Sequence, residues 1–181
     1  IQANQKRGPG LTLLNANSIF FDGYISRDSA TTGTEETAVL IQGSGSNVHI
    51  KATVESFSRL ARINGVLKNS AFNLVAANQS NPLLELFDLS AGRLEGSEIK
   101  VDFGNASEYN NGRYFAYSAP VSSGNSPSLG SLINSKLSCS GWNDNTNFIS
   151  PSLLKKSANV VLESGQPLEK KAGWIRQLYY Y

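Results

Sequence analysis

The chain has 181 residues and a net charge of +2, with 17% charged residues, 25 serines and 18 asparagines. This composition argues against a helical bundle and favours an all-β chain of short strands and turns, because Ser and Asn bond locally to the backbone in competition with helix. The scattered basic residues argue against nucleic-acid binding, no apolar run approaches the ~20 residues of a membrane span, and one cysteine with one histidine gives neither a disulfide nor a usual zinc site.

Residues 1–10 are polar and glycine-rich and show no signal-peptide pattern, and we predict that they form an N-terminal extension. The chain begins at Ile1 and contains no methionine. We therefore expect it to be a fragment, a processed product or part of a longer protein.

From residue 11 onward a short motif recurs, in which a turn residue is followed three positions later by a bulky apolar residue. Its copies begin at Asn17, Asn47, Asn69, Gly96 and Asn134, and a weaker copy begins at Ser157. After the turn, apolar and polar residues alternate from Ile50, Phe72 and Ile99, which predicts half-buried strands. A second apolar segment precedes each turn, so each repeat indicates strand, turn, strand and loop.

The spacing of the repeats is close to that of a stacked coil. The apolar anchors are Phe20, Ile50, Phe72, Ile99 and Leu137, which are 30, 22, 27 and 38 residues apart by subtraction. The shortest spacing is near one coil of a parallel β-helix, and the longer ones leave room for insertions, which we predict at 27–36 and 104–128. Stacked coils bury a continuous core that a single coil cannot bury.

In-register stacking of these coils would place Asn17, Asn47 and Asn69 above one another, with side-chain amides bonding from coil to coil. We therefore predict that 11–162 forms a right-handed parallel β-helix of about five to six coils. An antiparallel sandwich or jelly roll is the alternative, because it uses the same turn residues and alternating strands.

The C-terminal part is looser and rich in aromatic residues. Residues 153–162 indicate either a short strand pair or a brief helix, and the pattern does not separate the two. Residues 163–181 are apolar and aromatic towards their end, and we predict that they cap the last coil or form an oligomer contact, since open strand edges need covering.

The Asn-Ser-x-apolar repeats from Leu11 to Leu162 resemble the β-helical body of phage tailspikes, tail fibres and capsule depolymerases, within the pectate-lyase-like superfamily. The resemblance implies a homotrimer of the virion tail, acting outside the cell, that binds and often cleaves bacterial surface polysaccharide. Two other functions stay open: a polysaccharide hydrolase or lyase fragment, and a bacterial surface adhesin. The superfamily has no universal catalytic motif, so the resemblance assigns no catalytic residue.

Glycan binding uses aromatic faces against sugar rings, together with amide and charged hydrogen-bonding groups. Two clusters combine these groups, and we predict the following glycan-binding residues from them: Tyr109, Arg113, Tyr114, Tyr117, Trp142 and Asp144. The alternative is that these aromatic residues only cover the coils or fill an intersubunit contact.

Catalytic residues stay unknown, and whether the chain is an enzyme stays open. Alternation predicts that Glu98, Lys100 and Asp102 share the outward face, where Glu98 and Asp102 would stand ~13 Å apart, too far for a glycosidase pair. His49 is predicted to point outward and Cys139 to be a small buried residue. We expect no cofactor, no metal ion and no membrane insertion.

Overall fold

The computed structural model of the chain describes residues 2–5, 8–27, 37–77, 86–103, 114–119, 129–140 and 149–164. These residues form fourteen strands and one short helix, α1 (Pro151–Lys155). The strands are β1 (Gln2–Gln5), β2 (Leu11–Leu14), β3 (Asn17–Arg27), β4 (Thr37–Gln42), β5 (Gly45–Glu55), β6 (Arg59–Lys68), β7 (Ala71–Ala77), β8 (Phe87–Asp88), β9 (Gly92–Glu95), β10 (Glu98–Asp102), β11 (Ala116–Tyr117), β12 (Ser131–Ile133), β13 (Lys136–Ser140) and β14 (Val161–Ser164).

The strands belong to one 14-stranded sheet, in which three rows of parallel pairs can be followed. Row A joins β1, β3, β5, β7, β10, β13 and β14, and row B joins β2, β4, β6, β8 and β11. Row C joins the start of β5 to the end of β6, then β9 and β12. Within a row, each strand lies against the strand of the next repeat of the chain. The all-β prediction is confirmed, and the arrangement is compatible with a parallel β-helix.

Every strand pair in the described ranges is parallel, which contradicts the antiparallel sandwich or jelly roll considered from the sequence. The predicted alternation is confirmed in β10, where Ile99 and Val101 are buried while Glu98, Lys100 and Asp102 are exposed. In the register of row A, Ile99 lies between Phe72 and Leu137. Buried apolar residues therefore stack from repeat to repeat into one continuous core.

One turn recurs between rows C and A, each time with a residue at positive φ. These residues are Ser18 (55°), Asn47 (56°), Asn69 (48°), Gly96 (56°), Asn134 (49°) and Asn159 (53°). Asn and Gly tolerate this left-handed backbone better than other residues, which explains why the sequence repeats them. At this turn the side-chain amides of two successive repeats form a hydrogen bond, in which Asn159 Nδ2 donates to Asn134 Oδ1 at 2.9 Å.

The serine that follows the positive-φ residue links successive repeats from inside the turn. Ser70, Ser97 and Ser135 are buried, and each hydroxyl donates to a backbone carbonyl two residues earlier. The Ser97 hydroxyl accepts the Ser70 backbone N–H at 3.1 Å, and the Ser135 hydroxyl accepts the Ser97 backbone N–H at 3.3 Å. The Asn-Ser pair therefore combines a backbone conformation with a buried hydrogen-bond ladder.

The predicted register is wrong at both ends of the repeat series. Asn17 pairs with Ser46, so Ser18 and not Asn17 aligns with Asn47, and Phe21 rather than Phe20 lies beside Ile50. Phe20 is 73% exposed, whereas Phe21 is buried. The register follows the residue that enters the core, since a slip of one residue would reverse every side chain.

At the other end of the series the turn is formed at Asn159 and not at Ser157. Of the two alternatives for residues 153–162, the brief helix is the one observed, as α1, and a single strand, β14, follows it in place of a strand pair. Ser150 caps α1 by accepting the Leu153 backbone N–H at 3.4 Å. Cys139 is buried and His49 is exposed, as predicted. Among the described residues, no helix is both long enough and apolar enough to cross a membrane.

Several predicted segments fall wholly or partly outside the described residues. Residues 28–36 and 165–181 lie outside them, and so does most of 104–128, so the insertions and the C-terminal cap stay predictions. Within 104–128 the structure describes residues 114–119, which carry β11. Within the predicted extension 1–10 it places β1 beside β3.

Candidate functional site

Of the six residues predicted to bind glycan, the structure brings together Tyr114 and Tyr117. Their rings are stacked, with centroids 6.0 Å apart and an interplanar angle of 28°, and both residues are half-buried. Tyr109, Arg113, Trp142 and Asp144 lie outside the described residues.

Buried aromatic packing fixes the segment that carries the two tyrosines. Phe115 and Ala116 are fully buried between them, and the Phe115 ring lies 5.5 Å from the Phe87 ring. The Phe87 ring in turn meets Phe72 edge-on at 5.9 Å. Because neighbouring strand residues point to opposite faces, the burial of Ala116 directs Tyr117 outward.

Beside Tyr117, the register of row B places two charged residues on the same outward line. Tyr117 pairs with Asp88, and Asp88 pairs with Arg62, so the three residues lie on adjacent strands β11, β8 and β6. The Arg62 Nε atom donates to Asp88 Oδ2 at 3.0 Å, and the Arg59 Nε atom lies 3.9 Å from the same oxygen. The other oxygen, Oδ1, accepts the Ser90 backbone N–H at 3.0 Å.

We call the group formed by Arg59, Arg62, Asp88, Ser90, Tyr114 and Tyr117 the Tyr–Asp site. Its carboxylate is largely withdrawn from water, with 11% of the Asp88 side chain exposed, against 5% for Arg59 and 27% for Arg62. Burial by itself raises the pKa of Asp88. Hydrogen bonds from Ser90 and the positive charges of Arg59 and Arg62 outweigh that effect, so the pKa lies below its usual value.

The chemistry of the Tyr–Asp site follows from which atoms reach the surface. Asp88 remains ionised at neutral pH and its two oxygens are held by Arg62 and Ser90, which makes it poorly suited to serve as a general acid. Its effect is to hold the Arg62 side chain, of which 27% is exposed, in one orientation. The site therefore places an aromatic pair on the same line as Arg62, two strands away, with Asp88 between them holding the cationic hydrogen-bond donor in place.

Sequence reasoning identified the tyrosines of this site but not its charged half. In the sequence, nothing distinguishes Asp88 and Arg62 from the other charged residues of the chain. The two are 26 residues apart, and only the row B register makes them neighbours. A local signal existed in Asp88 and Ser90, since an Asp accepting the N–H two residues later is a common turn.

Among the described residues, no three His, Cys, Asp or Glu side chains are grouped closely enough to hold a metal ion. Comparisons with protein-family models, with curated proteins and with solved structures found no match for this chain.

Proposed function

We propose that this chain is the structural and receptor-binding module of a phage tailspike or tail fibre, and that it contacts bacterial surface polysaccharide through the Tyr–Asp site. In this proposal the module is a right-handed parallel β-helix of about five to six coils. It acts as a homotrimer on the virion tail, outside the host cell.

The repeated turn and the parallel rows support the β-helix. The column of positive-φ residues from Ser18 to Asn159 and the buried serine ladder are what in-register stacking of coils requires. About 98% of crossover connections between parallel strands of one sheet are right-handed, which favours that hand here. Exposed Leu14 and Phe20, at 66% and 73%, are the kind of side chains that a subunit contact buries, and this supports a homo-oligomer.

The observation that carries the glycan proposal is the Tyr114–Tyr117 stack beside the Arg62–Asp88 pair. The apolar face of a sugar ring packs on an aromatic ring, while its hydroxyl or carboxylate groups bond to a fixed guanidinium. A rigid parallel sheet supports both groups, so little ordering is needed on binding. Because the pKa of Asp88 is low and its oxygens are occupied, the site favours binding over polysaccharide cleavage.

The test is binding of the 181-residue chain to an array of purified bacterial capsular and lipopolysaccharide O-chain oligosaccharides. We expect at least one of them to bind, and Tyr117→Ala to weaken that binding at least about tenfold, or 1.4 kcal/mol. The matched control is Tyr24→Ala, because Tyr24 is also half-buried but belongs to row A. An array without any bound glycan, or equal affinities for the two variants, would contradict the proposal.

A further inference from the structure

Within the described part of the chain, row A has an open strand edge at each end. At the first end, β1 pairs only with residues 24–27 of β3, so the outer side of residues 20–23 has no strand beside it there. At the other end, β14 pairs with β13 on one side only. An open edge carries backbone N–H and C=O groups on which a further strand can pair.

The large apolar residues of one outward line lie at these two ends. The register joins six residues into this line, one from each strand from β3 to β14: Phe20, His49, Ala71, Glu98, Lys136 and Val161. The first is 73% exposed and the last is 42% exposed. The four residues between them are a histidine, an alanine and a pair of opposite charges. Exposed apolar surface on this line is therefore concentrated where row A is open.

The adjacent inward line shows the same ends from inside the core. It consists of Phe21, Ile50, Phe72, Ile99, Leu137 and Leu162. The four inner residues are at most 1% exposed, whereas Phe21 is 6% exposed and Leu162 is only partly buried. Apolar side chains gain from being removed from water, so a strand added at either end would complete their burial.

The two open edges fit each other in length and register. If the row A register is continued by one further strand, Val161–Ser164 of one copy lies beside residues 20–23 of a second copy. This stretch ends where β1 begins, because Gln2 is the partner of Tyr24. The four residues of β14 therefore occupy the open part of β3 without displacing β1.

The chain has to leave row A after β14 if β1 is to keep its place. The sequence that follows β14 is Gly165-Gln166-Pro167, which lies outside the described residues. Glycine and proline so close together predict a turn, and proline cannot donate to a strand ladder. The sequence is thus compatible with a strand that ends at Ser164.

We propose that the partner of these open edges is a second copy of this chain, with β14 of one copy added to β3 of the next as a parallel strand. In this joint Val161 lies beside Phe20 on the outside, and Leu162 lies beside Phe21 on the inside. The joint continues the parallel interface of row A from one molecule to the next. Because its two surfaces differ, the contact is head-to-tail and does not close, so repeated contacts give a filament of stacked copies.

This joint is separate from the proposed trimer and from the Tyr–Asp site. Positions 20 and 161 of one copy are five strand spacings apart, about 24 Å, and copies packed side by side in parallel keep them at different heights. The end-to-end contact uses other surfaces and involves no glycan. Its strand pair has only four residues, and small contacts are weak. We therefore expect the joint at high protein concentration and not in dilute solution.

Disulfide crosslinking tests the joint. The variant Phe20→Cys/Val161→Cys, in a Cys139→Ala background, is oxidised at high protein concentration and separated on a heated non-reducing SDS gel. Disulfide-bonded residues have Cα atoms within about 7 Å, so these two cysteines cannot bond within one chain. We expect a ladder of covalent products at successive multiples of 19.5 kDa.

The matched control replaces Val161→Cys by Val75→Cys and should give no ladder. Val75 is 39% exposed, close to Val161, but it lies on β7 in the interior of row A. All three substituted residues are exposed, so each variant should retain the urea midpoint of the Cys139→Ala chain.

A mixture of single variants tests the head-to-tail direction. Phe20→Cys and Val161→Cys, each in the Cys139→Ala background, should form a covalent dimer when they are mixed. Neither should do so by itself. A contact between two Phe20 side chains would instead give dimers of Phe20→Cys alone.

Three results would overturn the inference: no ladder beyond that of the Val75 control, a double variant whose products stop at two chains, or dimers of Phe20→Cys alone. The first is what a cap of residues 165–181 over β14 predicts, and the second is what a closed antiparallel pair predicts. None of them affects glycan binding by the Tyr–Asp site, so the inference and the proposed function fail separately.

Discussion

Replacing Asp88 with Asn removes the negative charge from the Tyr–Asp site with almost no change in shape. The substitution removes the negative charge that Arg59 and Arg62 both approach, and the Arg59 side chain is only 5% exposed. Removing one partner of a buried ion pair costs about 3–5 kcal/mol. Asn retains an acceptor for the Ser90 N–H and Arg62 is partly hydrated, so we expect a loss of about 2–4 kcal/mol.

Urea denaturation at pH 7 measures this loss as a shift of the unfolding midpoint at unchanged m-value. With an m-value of about 3 kcal/mol/M, a loss of 3 kcal/mol lowers the midpoint by about 1 M. Asp22→Asn is the matched control, because Asp22 pairs with Lys51 at 3.1 Å but the two side chains are 50% and 62% exposed. Exposed pairs contribute about 0–1 kcal/mol, so the control should barely shift. Equal shifts in the two variants would refute the account of Asp88.

The difference between the native chain and Asp88→Asn should also depend on pH. The pKa of Asp88 is lowered by folding, so its contribution is fully present above the unfolded value of 3.8 and is lost as the pH falls through the lower folded value. We expect the two unfolding midpoints to differ at pH 7 and to converge as the pH is lowered below 3.8. A difference that grows on acidification would contradict this reasoning.

Three further predictions concern glycines at positive φ, the serine ladder and assembly. Gly65→Ala should lower the free energy of unfolding by more than about 3 kcal/mol, because φ is +137° there and a Cβ would lie 2.0 Å from a backbone oxygen. Gly96→Asn should change it by less than about 1 kcal/mol, because neighbouring repeats carry Asn at the equivalent turn. Equal effects of the two substitutions would contradict this explanation of the positive-φ positions. Ser97→Ala should cost about 1–3 kcal/mol, because it leaves the buried Ser70 N–H without its acceptor, whereas Ser140→Ala at an exposed position should cost less than about 0.5 kcal/mol. The midpoints of urea unfolding measure both, and an equal or larger loss in Ser140→Ala would contradict the prediction. Sedimentation equilibrium should give three times 19.5 kDa, and a monomer would contradict the trimer.

Much of the repeating scaffold is readable in the sequence, because the same physics acts on every repeat. Alternation after Ile50, Phe72 and Ile99 predicts which residues enter the core, and the buried residues of β5, β7 and β10 agree. The register fails at Phe20 because two consecutive phenylalanines fit the pattern equally well. Their order is settled only by pairing with β5, which buries Phe21.

The candidate site was less accessible to sequence reasoning. Clustering of aromatic residues identifies Tyr114 and Tyr117, since they are close in the chain. Their charged neighbours come from two earlier repeats, and Arg62 meets Asp88 only because successive strands of row B stack in parallel. Nothing local to Arg62 distinguishes it from other surface cations, so the pair requires knowledge of the fold.

The central claim is that successive repeats stack in parallel register, because that register builds the Tyr–Asp site. One outward line of row A tests it directly, with spin labels on cysteines substituted in a Cys139→Ala background at Asp22, Lys51, Asn73, Lys100 and Ser138. Electron paramagnetic resonance measures the distances from the label at position 22 to each of the other labels. These distances should rise in the order 51, 73, 100 and 138, because the backbone separations are about 5, 10, 14 and 19 Å. A different order of distances, such as position 100 lying closer to 22 than position 73 does, would contradict the account.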